Sequence, residues 1–171
     1  MRRSLLTLAA VSLAAGAIAA ATPAANGATR SCATPDLVVW LNTQGNGAAG
    51  SIYYRLEFTN LARRRCSLRG YPGVSAVDLA GRRLGSPATR NPMHVRTITL
   101  AAGGTANAVL RIVEAGNYPR ARCKPTTAAG LRVYPPNQRV SKIVPFPLRA
   151  CAKAGVAYLS VGTLGRGPGS P

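Results

Sequence analysis

The stretch Cys66-Ser67-Leu68-Arg69-Gly70-Tyr71-Pro72-Gly73-Val74 holds a cysteine, a Gly-Tyr-Pro-Gly turn and the start of a strand. Gly70 and Gly73 tolerate positive φ at little cost, and Pro72 restricts its own φ. Pro72-Gly73 suits the central pair of a type II turn. Tyr71 precedes proline and is therefore held extended. Its amphipathic ring belongs at the core edge, with the hydroxyl in water or on backbone; stacking on a ligand is the functional alternative. Val74-Ser75-Ala76-Val77-Asp78 reads as a strand, and Asp78-Leu79-Ala80-Gly81 as the turn that ends it.

Cys66 is one of four cysteines, with Cys32, Cys123 and Cys151. An even count in an exported chain predicts two disulfides, for which three pairings exist. Cys32–Cys66 and Cys123–Cys151 are favoured, because each joins segments that a meandering β fold makes neighbours. A zinc site would want short paired spacings such as C-x-x-C, which are missing, so no metal is expected.

Outward from this centre, period-two patterning dominates. In residues 51–60, Ile52, Tyr54, Leu56 and Phe58 alternate with Tyr53, Arg55, Glu57 and Thr59. Residues 37–41 form an apolar first strand, followed by a Gly/Asn loop over 42–50. Residues 60–65 make a basic connector, and 82–92 a polar loop. Strands are expected at 95–100 and 105–114, a loop around Cys123 at 115–127, and a short strand at 131–134. A further segment at 140–146 is broken by Pro145 and Pro147, which marks an edge strand. The last strand covers 156–161. No segment beyond the N-terminus has helical periodicity. Seven or eight short strands separated by turn signals predict an all-β, immunoglobulin-like antiparallel sandwich, with Trp40 packed between the sheets.

The 171 residues suit one domain. Residues 1–21 read as a secretory signal: Arg2 and Arg3, then an Ala/Leu-rich apolar run, then small residues. A general secretory signal fits better than a twin-arginine one, since no cofactor motif demands folded export. The run is too short for a confident span, and no second hydrophobic segment follows, so no transmembrane span is expected in the mature chain. Residues 22–31 form a flexible lead-in, 32–161 the sandwich and 162–171 a flexible tail. A secreted or envelope-associated location follows.

The formal net charge is +18, and nearly all the positive charge is arginine. Such a field attracts anionic partners: phosphate-bearing wall polymer, acidic lipid head groups, nucleic acid or another envelope protein. The arginine preference also fits a GC-rich coding sequence. Export and the lack of any nucleic-acid motif argue against nucleic acid.

Several of these pieces together resemble one family. They are Cys32 before the first strand, Leu56-Glu57-Phe58-Thr59-Asn60, the whole of 66–74, and Asp78-Leu79-Ala80-Gly81. Ile98-Thr99-Leu100, Gly103-Gly104-Thr105-Ala106, Cys123 and Cys151 complete the set. The chain resembles the actinobacterial secreted family called domain of unknown function 4232, over about 32–161. It departs from the family's common Pro-Gly at Ala102-Gly103, which touches a turn. The resemblance implies a β-sandwich outside the membrane and no particular activity.

Chemistry is sparse. The only histidine is His94, and no G-x-S-x-G turn accompanies it. The four acids are Asp36, Glu57, Asp78 and Glu114, which form no evident facing pair. Asp36 and Asp78 read as turn formers, and Glu57 alternates to the outer face of its strand. With the cysteines bridged, no thiol nucleophile remains. No catalytic residue and no cofactor are therefore expected, and the chain reads as a non-enzymatic domain. Arg63, Arg64 and Arg65, with Arg69, Arg82 and Arg83, are the candidate anion-binding residues, since guanidinium matches phosphate and carboxylate. The alternative is a structural or accessory module that pairs with a partner protein through a sheet face or edge.

Overall fold

The computed structural model describes residues 29–169. The expected signal, and the lead-in up to residue 28, lie outside the described residues. Eleven strands run in order: β1 (Leu37–Ala48), β2 (Ser51–Asn60), β3 (Cys66–Arg69), β4 (Gly73–Val77), β5 (Arg83–Leu84), β6 (Thr89–Arg90), β7 (Thr97–Leu100), β8 (Thr105–Val113), β9 (Pro125–Tyr134), β10 (Lys142–Cys151) and β11 (Leu159–Arg166). One helical turn, α1 (Arg120–Cys123), and two 3₁₀ turns complete the described chain.

The strands form a five-stranded sheet, β1-β2-β8-β11-β6, a four-stranded sheet, β10-β9-β4-β5, and the pair β3-β7. Every pairing is antiparallel except β6 with β11. The larger sheets enclose one core in a sandwich-like arrangement. Leu56, Phe58, Leu110 and Val161 come from one sheet, and Val74, Ala76, Leu131 and Val133 from the other, all buried. The rings of Tyr54 on β2 and Phe146 on β10 meet edge-on, centroids 5.0 Å apart.

The all-β class and the antiparallel sandwich stand, and the extra strands are short ones. β5 and β6 have two residues each, inside what the sequence presents as a polar loop. β1 does not stop at residue 41. It continues to Ala48 across a register break between Asn42 and Asn46, and turns at Ala49-Gly50 into β2. The Gly/Asn composition conceals a hairpin arm that pairs with β2 through the backbone, with the Ile52 and Tyr54 side chains close against Gly45. β9 begins at Pro125, six residues before the strand the sequence suggests. At the far end, β11 extends through Arg166, so residues 162–166 are strand rather than tail. The Asn107 amide donates to the Gly167 carbonyl at 2.9 Å and pins the chain beyond it. The lead-in is tied too: Ser31 bridges Ser67, and the Ser67 N–H donates to the Arg30 carbonyl at 2.8 Å.

Trp40 is not between the sheets. Leu37, Val39 and Leu41 take the inward positions of β1, which turns Trp40 to the outer face at 42% exposure. The large buried ring is Tyr158, just before β11. Its hydroxyl donates to the Leu84 carbonyl at 3.3 Å, and burial pushes its pKa up to about 12. Both expected disulfides form, Cys32–Cys66 and Cys123–Cys151, with Cα atoms 4.8 and 4.5 Å apart. They close 34- and 28-residue separations. Such loops stabilise by roughly 3–4 kcal/mol each through the unfolded chain.

A candidate anion-binding cleft

The site grows from the turn between β3 and β4. Gly70 takes φ +106°, a conformation other residues avoid, and swings the chain out of β3 just after Arg69. Gly73 does not supply the second positive φ of a type II turn; it is already the first residue of β4, opposite Tyr134. The reversal therefore rests on Gly70, and Tyr71 projects from it.

Tyr71 is tethered at its hydroxyl, which donates to the Asn91 carbonyl at 2.8 Å and accepts the Met93 N–H at 3.1 Å. Backbone is thus the hydroxyl's partner, as its place beside a turn suggests. Arg90, the last residue of β6, lays its guanidinium over the Tyr71 ring, 5.5 Å from the centroid. From the other side, the turn after β9 closes in. Asn137 adopts φ +60°, and its amide donates to the Arg69 carbonyl at 3.1 Å. Arg69 itself reaches the Thr97 hydroxyl at 3.3 Å.

Between these elements lies a cleft of about 530 Å³. Arg69 and Arg90 supply its charge, Tyr71 and Tyr134 its rings, and Asn137 and Gln138 its amides. No acidic side chain lines it, and neither arginine has a carboxylate partner among the described residues. Two guanidiniums without counterions in one concavity offer positive charge and forked N–H donors, the chemistry that suits a carboxylate or a phosphate.

Of the six arginines singled out from the sequence, Arg69 alone lines this cleft. Arg63, Arg64 and Arg65 lie exposed on the connection between β2 and β3. That connection is organised by buried Asn60, whose amide donates to the Arg64 and Ala101 carbonyls while its oxygen accepts the Ala62 N–H. Arg82 is paired with Asp78 at 2.8 Å, which holds the Asp78 carboxyl below its ordinary pKa. Arg83 is exposed on β5. Sequence reasoning missed Arg90, Tyr134 and Gln138. Arg90 sits between Thr89 and Asn91 in a polar run that carries no strand signal, and its place follows only from pairing with β11.

The candidate catalytic groups do not gather into a centre among the described residues. His94 is exposed. No group of three or more His, Cys, Asp or Glu gathers among the described residues. Glu57 faces outward on β2, yet it is 1% exposed. Neither carboxylate oxygen has a well-formed hydrogen bond. Burial raises its pKa, and the nearby Asn42 amide draws it partway back.

Residues 32–166 match the family model described as Domain of unknown function (DUF4232). The chain belongs to the DUF4232 family. The DUF4232 match spans both disulfides and all eleven strands, and so the whole cleft. No curated protein matches the chain. Two closed disulfides suit an oxidising, extracytoplasmic setting. No helix among the described residues is long and apolar enough to cross a membrane.

Proposed function

We propose that this chain is a secreted or envelope-associated binding module, not an enzyme, built on an immunoglobulin-like sandwich. It holds anionic groups of envelope components in the cleft between Arg69 and Arg90. The observation that carries this is the pairing of two uncompensated guanidiniums in one concavity without an acid. The full chain's net charge is +18, and removing Arg2 and Arg3 with the expected signal leaves +18 − 2 = +16, which adds long-range attraction toward the same partners. Wall polymer and lipid head groups both offer the required phosphate. Arg63–Arg65 and Arg83 add to the general field rather than to the grip.

The test is retention of the folded chain on purified phosphate-bearing wall polymer across a salt series. Retention that falls with salt, and falls further in the Arg69→Ala, Arg90→Ala double variant, supports the proposal. No retention at low salt, or retention indifferent to both arginines, ends it.

A second function is favoured by one observation. Val38 and Trp40, at 40% and 42% exposure, stand side by side on the outer face of the five-stranded sheet. An apolar pair there suits docking of a partner protein. Capture that ignores salt and is lost in Trp40→Ala would select this function over the first.

A further inference from the structure

We infer that the cleft takes one hydroxylated unit carrying an anionic group, such as a sugar or polyol phosphate or a sugar acid, rather than anions in general. This rests on the anion-binding role proposed above and narrows it to a ligand class.

Size comes first. A cleft of about 530 Å³ falls in the range that small organic ligands occupy and is far larger than a lone tetrahedral ion needs. The lining is also divided. Arg69 and Arg90 present charge, whereas Tyr134 and Pro135 present an aromatic and an apolar wall, with Gln138 beside them. Pure electrostatic binding needs no such wall. A pyranose or polyol chain does, because its C–H faces pack on a ring while its hydroxyls seek amides. The amides are available. The Gln138 side chain has no hydrogen-bond partner among the described residues, and Asn137 spends a donor on Arg69 while its oxygen stays free to accept. The Tyr71 hydroxyl is taken by backbone, so Tyr71 contributes its position under Arg90 rather than a contact of its own. Both arginines are also held in place. Arg90 is braced on a ring, and Arg69 is bonded to Thr97. Preorganised donors lose less freedom on binding, which is what discrimination within one charge class requires.

Calorimetric titration of the full mature chain tests this with inorganic phosphate, glucose 1-phosphate, glucuronate and methyl glucoside. Glucose 1-phosphate or glucuronate is expected to bind about tenfold or more tighter than inorganic phosphate, with methyl glucoside weaker than either. Gln138→Ala, at a half-buried position just after the β9 turn, should cost several-fold with the sugar ligand and nothing with inorganic phosphate, with its thermal transition recorded to confirm the fold. Tyr134→Ala should do the same, with its thermal transition recorded to confirm the fold. Arg69→Ala should weaken every anion. Inorganic phosphate binding as tightly as glucose 1-phosphate and glucuronate overturns the inference and leaves the anion-binding role intact. So does Gln138→Ala weakening all anions alike. Binding to phosphatidylglycerol vesicles with no binding of either sugar ligand assigns the cleft to lipid and also overturns it. Failure of every anion, together with no retention on wall polymer, removes both this inference and the role beneath it.

Discussion

The Tyr71 hydroxyl donates to the Asn91 carbonyl at 2.8 Å, and Asn91 directly follows Arg90. One hydrogen bond therefore ties the β3–β4 turn to the segment that carries the second arginine of the cleft. The ring below and the carbonyl beside it set where that guanidinium stands.

Tyr71→Phe should accordingly do two things. Losing the hydroxyl leaves the Met93 N–H without its acceptor, for a cost of about 0.5–1.5 kcal/mol in chemical denaturation. It should also weaken anion binding although no ligand contact is removed, whereas Tyr71→Leu, which loses the ring beneath Arg90, should weaken it more. Unchanged binding in both variants would mean that Arg90 is placed by other contacts.

Glu57 should be a liability near neutral pH. Its folded pKa lies above the ordinary value of 4.5, so the fold binds this proton more tightly than the unfolded chain does. Below the unfolded value the carboxyl is protonated in both states and imposes no pH-dependent penalty. As pH rises from there through the folded value, the penalty grows and then levels off. On its face Glu57 lies opposite Trp40 of β1 and Asn107 of β8, with Arg55 two residues along β2. Glu57→Gln should therefore be more stable than wild type at pH 7 by about 1–3 kcal/mol, the range for an unsatisfied buried polar group. The gap should narrow toward pH 4. Urea midpoints for both proteins at the two pH values check this, and a less stable Gln variant at pH 7 would show that the carboxylate is well satisfied.

The glycines at positions 70 and 85 should separate two kinds of cost. Both have positive φ, +106° and +69°. A methyl at Gly70 meets nothing within 4 Å, so Gly70→Ala should cost only backbone strain, about 1–2 kcal/mol. At Gly85 it would lie 2.5 Å from Tyr158 Cε1 and 2.9 Å from the Val156 carbonyl. Gly85→Ala should thus add overpacking to strain and exceed the Gly70 variant by about 1–3 kcal/mol. Equal losses in thermal denaturation would mean that both the Tyr158 ring and the backbone at Val156 yield freely.

Both disulfides should contribute separately. Replacing Cys32 and Cys66 together by serine, or Cys123 and Cys151 together, should each lower unfolding free energy by about 3–4 kcal/mol in the chain-entropy picture. Lower denaturant midpoints, with a slope that rises as the uncross-linked unfolded chain exposes more surface, would check it. A negligible effect from one pair would point to residual structure in the reduced, unfolded chain.

Much of the architecture is legible in the residues. The alternation in 51–60 identifies β2, the Asp78–Gly81 signal identifies its turn, and Pro145 with Pro147 marks β10 as an edge, which it is. Of the three cysteine pairings the residues allow, the two disulfides formed are those favoured for joining neighbouring segments of a meandering β fold. Other parts were hidden for physical reasons. The far half of β1 is Gly- and Asn-rich, and only β2 lying alongside makes it a strand. β5 and β6 are too short to show any period. Alternation correctly sends Glu57 outward, but its burial depends on neighbouring strands that sequence spacing does not reveal. The densest run of arginines drew attention to 63–65, whereas the cleft takes Arg69 and a lone Arg90 from separate sheets. Density along the chain measures field strength, not convergence in space.

Pro145 and Pro147 lie on β10, the rim of the four-stranded sheet. Neither imide nitrogen carries a hydrogen, so a strand from a second molecule finds two gaps where it would need donors. That rim is a poor seed for fibrils, and concentrated preparations should stay dispersed on that side of the molecule.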